Sequence, residues 1–396
     1  MQTNTKRDDY IRASLALSLI PEIGANRIKN LFEHFESPMS LFSRDLPDLV
    51  RVRKIGASVA RSIRSFQDWG RVDQLMSMAE KQEVTLLTLF DDTYPCRLKQ
   101  IHDPPALLWV RGDPAVLKRC FLAIVGTRRP SVEGREATIK LTRELIATTD
   151  LAIVSGLAHG VDTIAHRVIL EENGCTVAVL GCGIDRIYPT GNFRLAQRML
   201  QQGGAIISEF PPGTRPEAHN FPIRNRVVSG MSLGVLVTET GMAGGSRITA
   251  GKALDQNREV FIVPHAISNK KGTGSNDLIK NSGGKLVTCV DDILVEFPYT
   301  EIPRRGATNV SGERYAEDGQ TPIRLRTSGP VEKSNTKDLS NLEKRICRLL
   351  SKSPIHADRL SQKLQMRAEN LLPVLLKLEL ADVIIQKPGK KFTLKS

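Results

Sequence analysis

Four short segments of this 396-residue chain hold the residue types that bind phosphate. GTRRPS (126–131) sets Gly126 and Thr127 before the pair Arg128 and Arg129. FPIRNR (221–226) sets Phe221 before Arg224, Asn225 and Arg226. GGSRITAGKAL (244–254) offers Ser246, Arg247, Thr249 and Lys252, and SGLAHGVDTIAH (155–166) offers Ser155, Gly156, His159, Asp162 and His166. Glycine permits a tight turn and a close backbone approach, and the free N–H groups at a helix start favour an anion. A guanidinium adds charge-assisted, often bidentate, bonds to phosphate oxygens. A phenyl ring beside such groups can stack on a base, a contact worth about 1–3 kcal/mol. Structural roles compete at each position: an arginine pair on a solvated loop, Phe221 in the core, Arg224 paired with Glu209 or Glu239, Ser246 as a helix cap.

The same segments exclude other chemistry. A dinucleotide turn wants GxGxxG, which GTRRPSVEG lacks, and GCGIDR (181–186) has two of the three glycines. AGKAL (250–254) places Ala after the lysine, so no P-loop is present. His159, Asp162 and His166 fall at i, i+3 and i+7, a tempting metal set. His159, however, precedes the helix and Asp162 suits its first turn, so no metal and no cofactor are expected.

These segments need elements to hold them. The apolar runs at 121–126, 151–156, 175–181, 204–209, 233–239 and 259–264 are short and rich in Val and Ile, with room for a helix between each pair. That is the pattern of parallel strands buried on both faces, and ligands bind in the turns at their carboxyl ends. VTLLTLF (84–90) and ALLWVRG (106–112) read as two further strands. Residues 1–80 read as a helical domain with two similar turn-helix segments, at 20–32 and 52–66. The usual first glycine of a helix-hairpin-helix turn is replaced there by Glu22 and by Lys54. Glu22 would repel a phosphate, so this domain reads as a structural cap. The domain plan is 1–80 helical, 81–297 sheet, 298–339 flexible linker, and 340–396 a winged helix ending in the hairpin VIIQ–KPGK–KFTL. The apolar helix at 368–380 leaves little polar surface to read bases. The tail therefore suits sequence-independent phosphate contact by Lys387, Lys390 and Lys391, or protein contact by the helix.

The formal net charge of +13 and pI of about 9.6 favour an acidic partner. Six scattered cysteines show no zinc spacing and fit a reduced protein. No apolar run approaches membrane length, and a soluble cytoplasmic protein is expected.

With these residues in place, the chain resembles the DprA (Smf) family of DNA-processing proteins. The resemblance runs through YPCRLKQIHDPPALLWVRGD (94–113), AIVGTRRPSVEG (123–134), SGLAHGVDTIAH, AVLGCGIDRIYPTGN (178–192), ISEFPPG (207–213), FPIRNRVVSGMS (221–232) and GGSRITAGKAL. It implies an α/β fold: an extended Rossmann-like parallel sheet between a SAM-like helix-hairpin-helix domain and a C-terminal winged helix. It also implies a non-enzymatic, homodimeric binder of single-stranded DNA. Such a protein protects incoming DNA and loads RecA onto strands coated by SSB during natural transformation. The phosphate-binding arginine falls on Arg128, the second motif on Ser155, Gly156, Asp162 and His166, and the third on Phe221, Arg224, Asn225 and Arg226. Three positions depart from the pattern: Thr190 where a basic residue often stands, His159 in place of Arg, and His265 in place of Gly. Arg186 and Arg194 are candidates to restore the lost charge. The rival readings are a nucleoside-monophosphate hydrolase, for which TGMAGGSRITAGKAL lacks the expected Glu, and a winged-helix transcription regulator.

Overall fold

The molecule is described here by a computed structural model covering residues 2–297 and 302. Further on it covers 341–350, 355–356, 360, 363–364, 366, 371, 374–375, 377–379, 383–387 and 391–394. The expected linker at 298–339, Ile302 apart, and Leu372, Leu376, Leu380 and Lys390 of the expected tail lie outside the described residues. The chain divides into two compact units, 1–308 and 309–396.

The first unit is built on a nine-stranded sheet: β1 (Val84–Thr88), β2 (Leu107–Gly112), β3 (Phe121–Val125), β4 (Ala152–Ser155), β5 (Thr176–Leu180), β6 (Ala205–Ser208), β7 (Ser232–Val237), β8 (Glu259–Ile262) and β9 (Lys285–Leu286). Its order is β1-β2-β6-β5-β4-β3-β7-β8-β9. β3 to β9 run parallel, while β2 is antiparallel to both β6 and β1. The parallel core follows from the sequence: strands buried on both faces need apolar residues at every position, and β3, β5 and β7 are buried throughout. Their side chains then alternate between faces. Phe121, Ala123 and Val125 join one core, and Leu122 and Ile124 another.

Helices cover both faces. Around the sheet lie α1 (Gln2–Ser18), α2 (Ala25–His34), α3 (Leu46–Val50), α4 (Ala57–Arg64), α5 (Trp69–Lys81), α6 (Cys96–Lys99), α7 (Val132–Thr148), α8 (Val161–Glu171), α9 (Phe193–Gln201), α10 (Asn220–Met231), α11 (Gly245–Asp255), α12 (Thr273–Lys280) and α13 (Asp291–Leu294). α10 and α11 pack Val227, Val228, Ala250 and Ala253 on one face, and α7 and α8 pack Leu141, Leu145, Ala165 and Ile169 on the other. The amino-terminal helices do not stand apart. α1 sends Ile11 and Leu15 into a core shared with Trp109 of β2 and Ile206 of β6. Its Ala13 and Leu17 enter a second core, with Ile28, Leu31 and Ile63 of α2 and α4.

β3 is the topological switch: the chain leaves it to build β4 on one side and β7 on the other. The crevice at the carboxyl ends of such strands is the ligand position of open α/β sheets. The turns holding GTRRPS, SGLAHG and TETGMAGG all end there.

In the second unit, α14 (Asn341–Leu350) packs Ile346 and Leu350 with Leu360, Leu364, Leu371, Leu375 and Leu378. The expected hairpin is present as β11 (Ile384–Lys387) and β12 (Lys391–Leu394), with Lys387 opposite Lys391. A short strand unforeseen in the sequence, β10 (Ile355–His356), pairs with the other edge of β12.

Candidate nucleic-acid interface

A cavity of about 330 Å³ opens at the switch point. Its walls come from three of the phosphate-type segments: Gly126, Thr127 and Arg128 after β3; Phe221, Arg224 and Asn225 of α10; Ser246 and Thr249 of α11. Gly156 and Asp162 close it from the β4 side. Gly244 and Gly245 of GGSRITAGKAL line it too, with Val125, Ala158 and Val228, which the sequence did not single out because small and apolar side chains leave no chemical signature of their own.

The turn after β3 is held by a carboxylate. Glu239 is fully buried, and its oxygens accept from the Ser131 N–H at 2.7 Å, the Ser131 hydroxyl at 2.6 Å and the Asn269 amide at 3.0 Å. The Glu239 carbonyl takes the Thr127 N–H at 2.7 Å. Three strand-end loops are thereby tied together, and Ser131 is left to cap α7 through Gly134 at 3.0 Å. Gly160 must be glycine: its φ is +78°, and a Cβ there would sit 2.4 Å from the Thr127 carbonyl oxygen.

On this frame Arg128 is exposed, and its guanidinium lies over the Phe221 ring, 5.5 Å from the centroid. That is within cation–π range, so the charge is held at the cavity mouth. Tyr188 lies 5.8 Å from the other ring, that of Phe221. It lines a small adjoining recess with His159, Pro189 and Arg128.

Other predicted residues have structural partners. Arg224 is 5 % exposed; its Nη1 donates to the carbonyls of Gly156, at 2.6 Å, and of Val179. It thus ties the carboxyl ends of β4 and β5, and a Cβ on Gly156 would come within 2.2 Å of it. Arg226 points away from the cavity, to Glu209 at 2.5 Å and Asp103 at 3.2 Å. The acid partner weighed for Arg224 thus belongs to Arg226. Ser155 is buried and donates to the Ile124 carbonyl at 2.6 Å. Ser246 donates to the Thr240 hydroxyl at 2.7 Å, and the cap of α11 is Gly244, without a side-chain bond. Arg129 is exposed beside the cavity lining, not in it, and Lys252 lines a different hollow. Pro222 is the third residue of α10, because the helix begins at Asn220.

Asp162 does not cap its own helix. Its Oδ2 accepts from the N–H groups of Gly156 at 3.0 Å and Ala158 at 3.3 Å. Burial pushes its carboxyl up, while the Arg224 charge and these bonds pull it down. His166 is buried with Nδ1 2.7 Å from the Thr176 hydroxyl. Burial, reinforced by Arg224, lowers it to about 3, so the ring is neutral at ordinary pH. The histidine belongs to the α8–β5 packing.

A family model described as "DNA recombination-mediator protein A" matches residues 85–298, more than half of the chain. The chain belongs to that family. Models for a "DprA winged helix domain" and a "Helix-hairpin-helix motif" match residues 330–390 and 13–76. The chain is 40 % identical over 254 residues to "Protein Smf" of Escherichia coli (strain K12), covering 64 % of this chain and 67 % of that one. It is 38 % identical over 229 residues to "DNA processing protein DprA" of Streptococcus pneumoniae, covering 58 % and 80 %. The X-ray structure of DNA processing protein A from S. pneumoniae is similar with a TM-score of 0.61 at 33 % identity, over 73 % of this chain and 98 % of that one. For this DNA recombination-mediator family member, the expected order of helix-hairpin-helix region, mostly parallel sheet and winged helix holds.

Proposed function

We propose that this chain binds single-stranded DNA along the carboxyl rim of its sheet, without catalysis, and as a homodimer delivers the strand to the recombinase RecA on SSB-coated DNA. The observation that carries the binding is Arg128. It is an exposed guanidinium held over Phe221 at the mouth of a cavity lined by glycines and strand-end backbone. A phosphate at the guanidinium and a base on the aromatic face are the two contacts single-strand binders combine. Family membership and relatives named as DNA-processing proteins support the role in transformation and recombination.

Gel shifts test it, with oligo-dT against a duplex of the same length at moderate salt. The expected result is preference for the single strand, lost in Arg128→Ala; equal binding of the duplex would overturn the reading. The recombinase step is tested by RecA filament growth on SSB-coated strands, which the protein should accelerate.

Asp162 favours a second reading, since a carboxylate lifted by burial at a phosphate-type cavity could act as a general base. Its Oδ2, however, is engaged by two backbone N–H groups. Release of free base from AMP decides between the two: turnover lost in Asp162→Asn would establish a hydrolase.

A further inference from the structure

A second hollow of about 890 Å³ lies between the amino-terminal turn-helix segments and the helices α10 and α11. It flanks the same two helices as the first. Phe221, Arg224 and Asn225 of α10 face the rim cavity, and Pro222, Ile223 and Arg226 face the second. On α11, Ser246 and Thr249 belong to the first and Lys252 to the second. A third depression of about 350 Å³ shares Asn26 and Lys54 with the second and continues past Arg53 and Lys29. The second and third hollows thus form one channel along the paired turn-helix segments, with α10 and α11 between it and the rim cavity.

Those two segments are locked to each other. The Arg27 guanidinium donates to the Lys54 carbonyl at 2.9 Å and to the Glu22 carbonyl, and the Asn30 amide donates to the Arg53 carbonyl at 2.8 Å. Glu22 and Lys54 occupy equivalent left-handed positions, with φ of 68° and 67°. The turn conformation a glycine would supply is therefore retained, and at Lys54 it carries a cation outward.

Charge decides what the channel can hold. Asp103 is engaged by Arg226 at 3.2 Å, and Glu33 faces Lys29 at 3.8 Å. Arg53 and Lys54 are exposed, with no ion pair among the described residues. Glu22 is the acid left over. Ile223, at 40 % exposure, is the one large apolar side chain there that is markedly exposed. Unpaired cations on the far side of α10 and α11 from the rim cavity suit a polyanion.

We propose that this channel carries the continuation of the bound single strand, with Arg53 and Lys54 neutralising phosphates beyond those held at the rim. The proposal rests on the rim binding described above. It extends the DNA footprint onto the amino-terminal helices, which then do more than cap the sheet.

The test compares an oligo-dT of about 6 nucleotides, enough for the rim, with one of about 20, long enough to reach the channel. Affinities of the full chain are measured across a salt series for the parent, Arg53→Glu/Lys54→Glu and Arg128→Ala. Glu22 shows that a glutamate is accepted in the conformation Lys54 adopts; Arg53→Gln/Lys54→Gln is a milder companion. The parent should bind the longer strand more tightly and with a steeper salt slope. The charge-reversed pair should bind the short strand as the parent does. It should lose the length-dependent gain, about tenfold, and its slope on the long strand should be shallower by about 1.4, at about 0.7 for each phosphate contact. Unchanged long-strand affinity and slope in the reversed pair would overturn the channel while leaving the rim intact. Failure of the parent to bind either strand would overturn both.

Discussion

Arg128 and Arg224 look alike in the sequence, yet their surroundings give them opposite duties. Arg128 is exposed, so Arg128→Ala should change stability by no more than about 0.5 kcal/mol. It should cost about tenfold or more in single-strand affinity through a lost charge-assisted bond. Arg224→Ala leaves the Gly156 and Val179 carbonyls buried and unpaired, about 1–3 kcal/mol for each. Its urea midpoint should fall clearly while Arg128→Ala stays at the parent value; the reverse order would reassign both residues. His166 supplies a pH dependence. Its folded pKa of about 3 lies below the unfolded value near 6.5, so the unfolded chain takes up the proton first. The stability it contributes is fully present above about pH 6.5 and is lost as pH falls toward 3. His166→Phe should flatten that part of a stability–pH curve measured by denaturant unfolding.

At the scale of elements, the decisive piece is the knot of loops around Glu239. Ser131 offers its N–H and its hydroxyl, and Asn269 its amide, so the carboxylate must accept on both oxygens. Glu239→Gln replaces one acceptor with a donor and should cost about 1–3 kcal/mol. The 126–131 turn should become markedly more sensitive to limited proteolysis; a digestion pattern identical to the parent's would show that the turn stands without the knot. Strands β3 to β8 were legible because doubly buried parallel strands leave continuous apolar runs. The joining of β1 and β2 to the same sheet through β6 was not, because the antiparallel β2–β6 pairing joins residues about 95 positions apart, Trp109 opposite Ser208 among them. Strand β10 has two residues, too few to carry a period.

For the molecule as a whole, the +13 charge predicts binding that weakens steeply with salt. The logarithm of the affinity for oligo-dT should fall linearly with the logarithm of salt, with a slope of about −0.7 for each phosphate contacted. A flat profile would mean that the basic character serves another partner. The N-terminal helices share two cores with and around the sheet. The first 80 residues should therefore unfold together with the sheet in a single thermal transition, whereas a separate early transition for them would show a detachable module.

Local pattern along the chain was enough for the parallel sheet, the winged-helix hairpin and the segments that converge on the carboxyl rim. Hydrophobic period and glycine placement are local properties, written within a few residues. The assignment of each arginine was not local. Arg128 over Phe221, Arg224 bridging two strand ends and Arg226 paired with Glu209 depend on which side of α10 each side chain leaves. They also depend on which carbonyls and carboxylates the fold brings within 3 Å or so. Only the tertiary structure settles that, because a guanidinium is satisfied by whatever oxygen is nearest in space, whatever its distance along the chain.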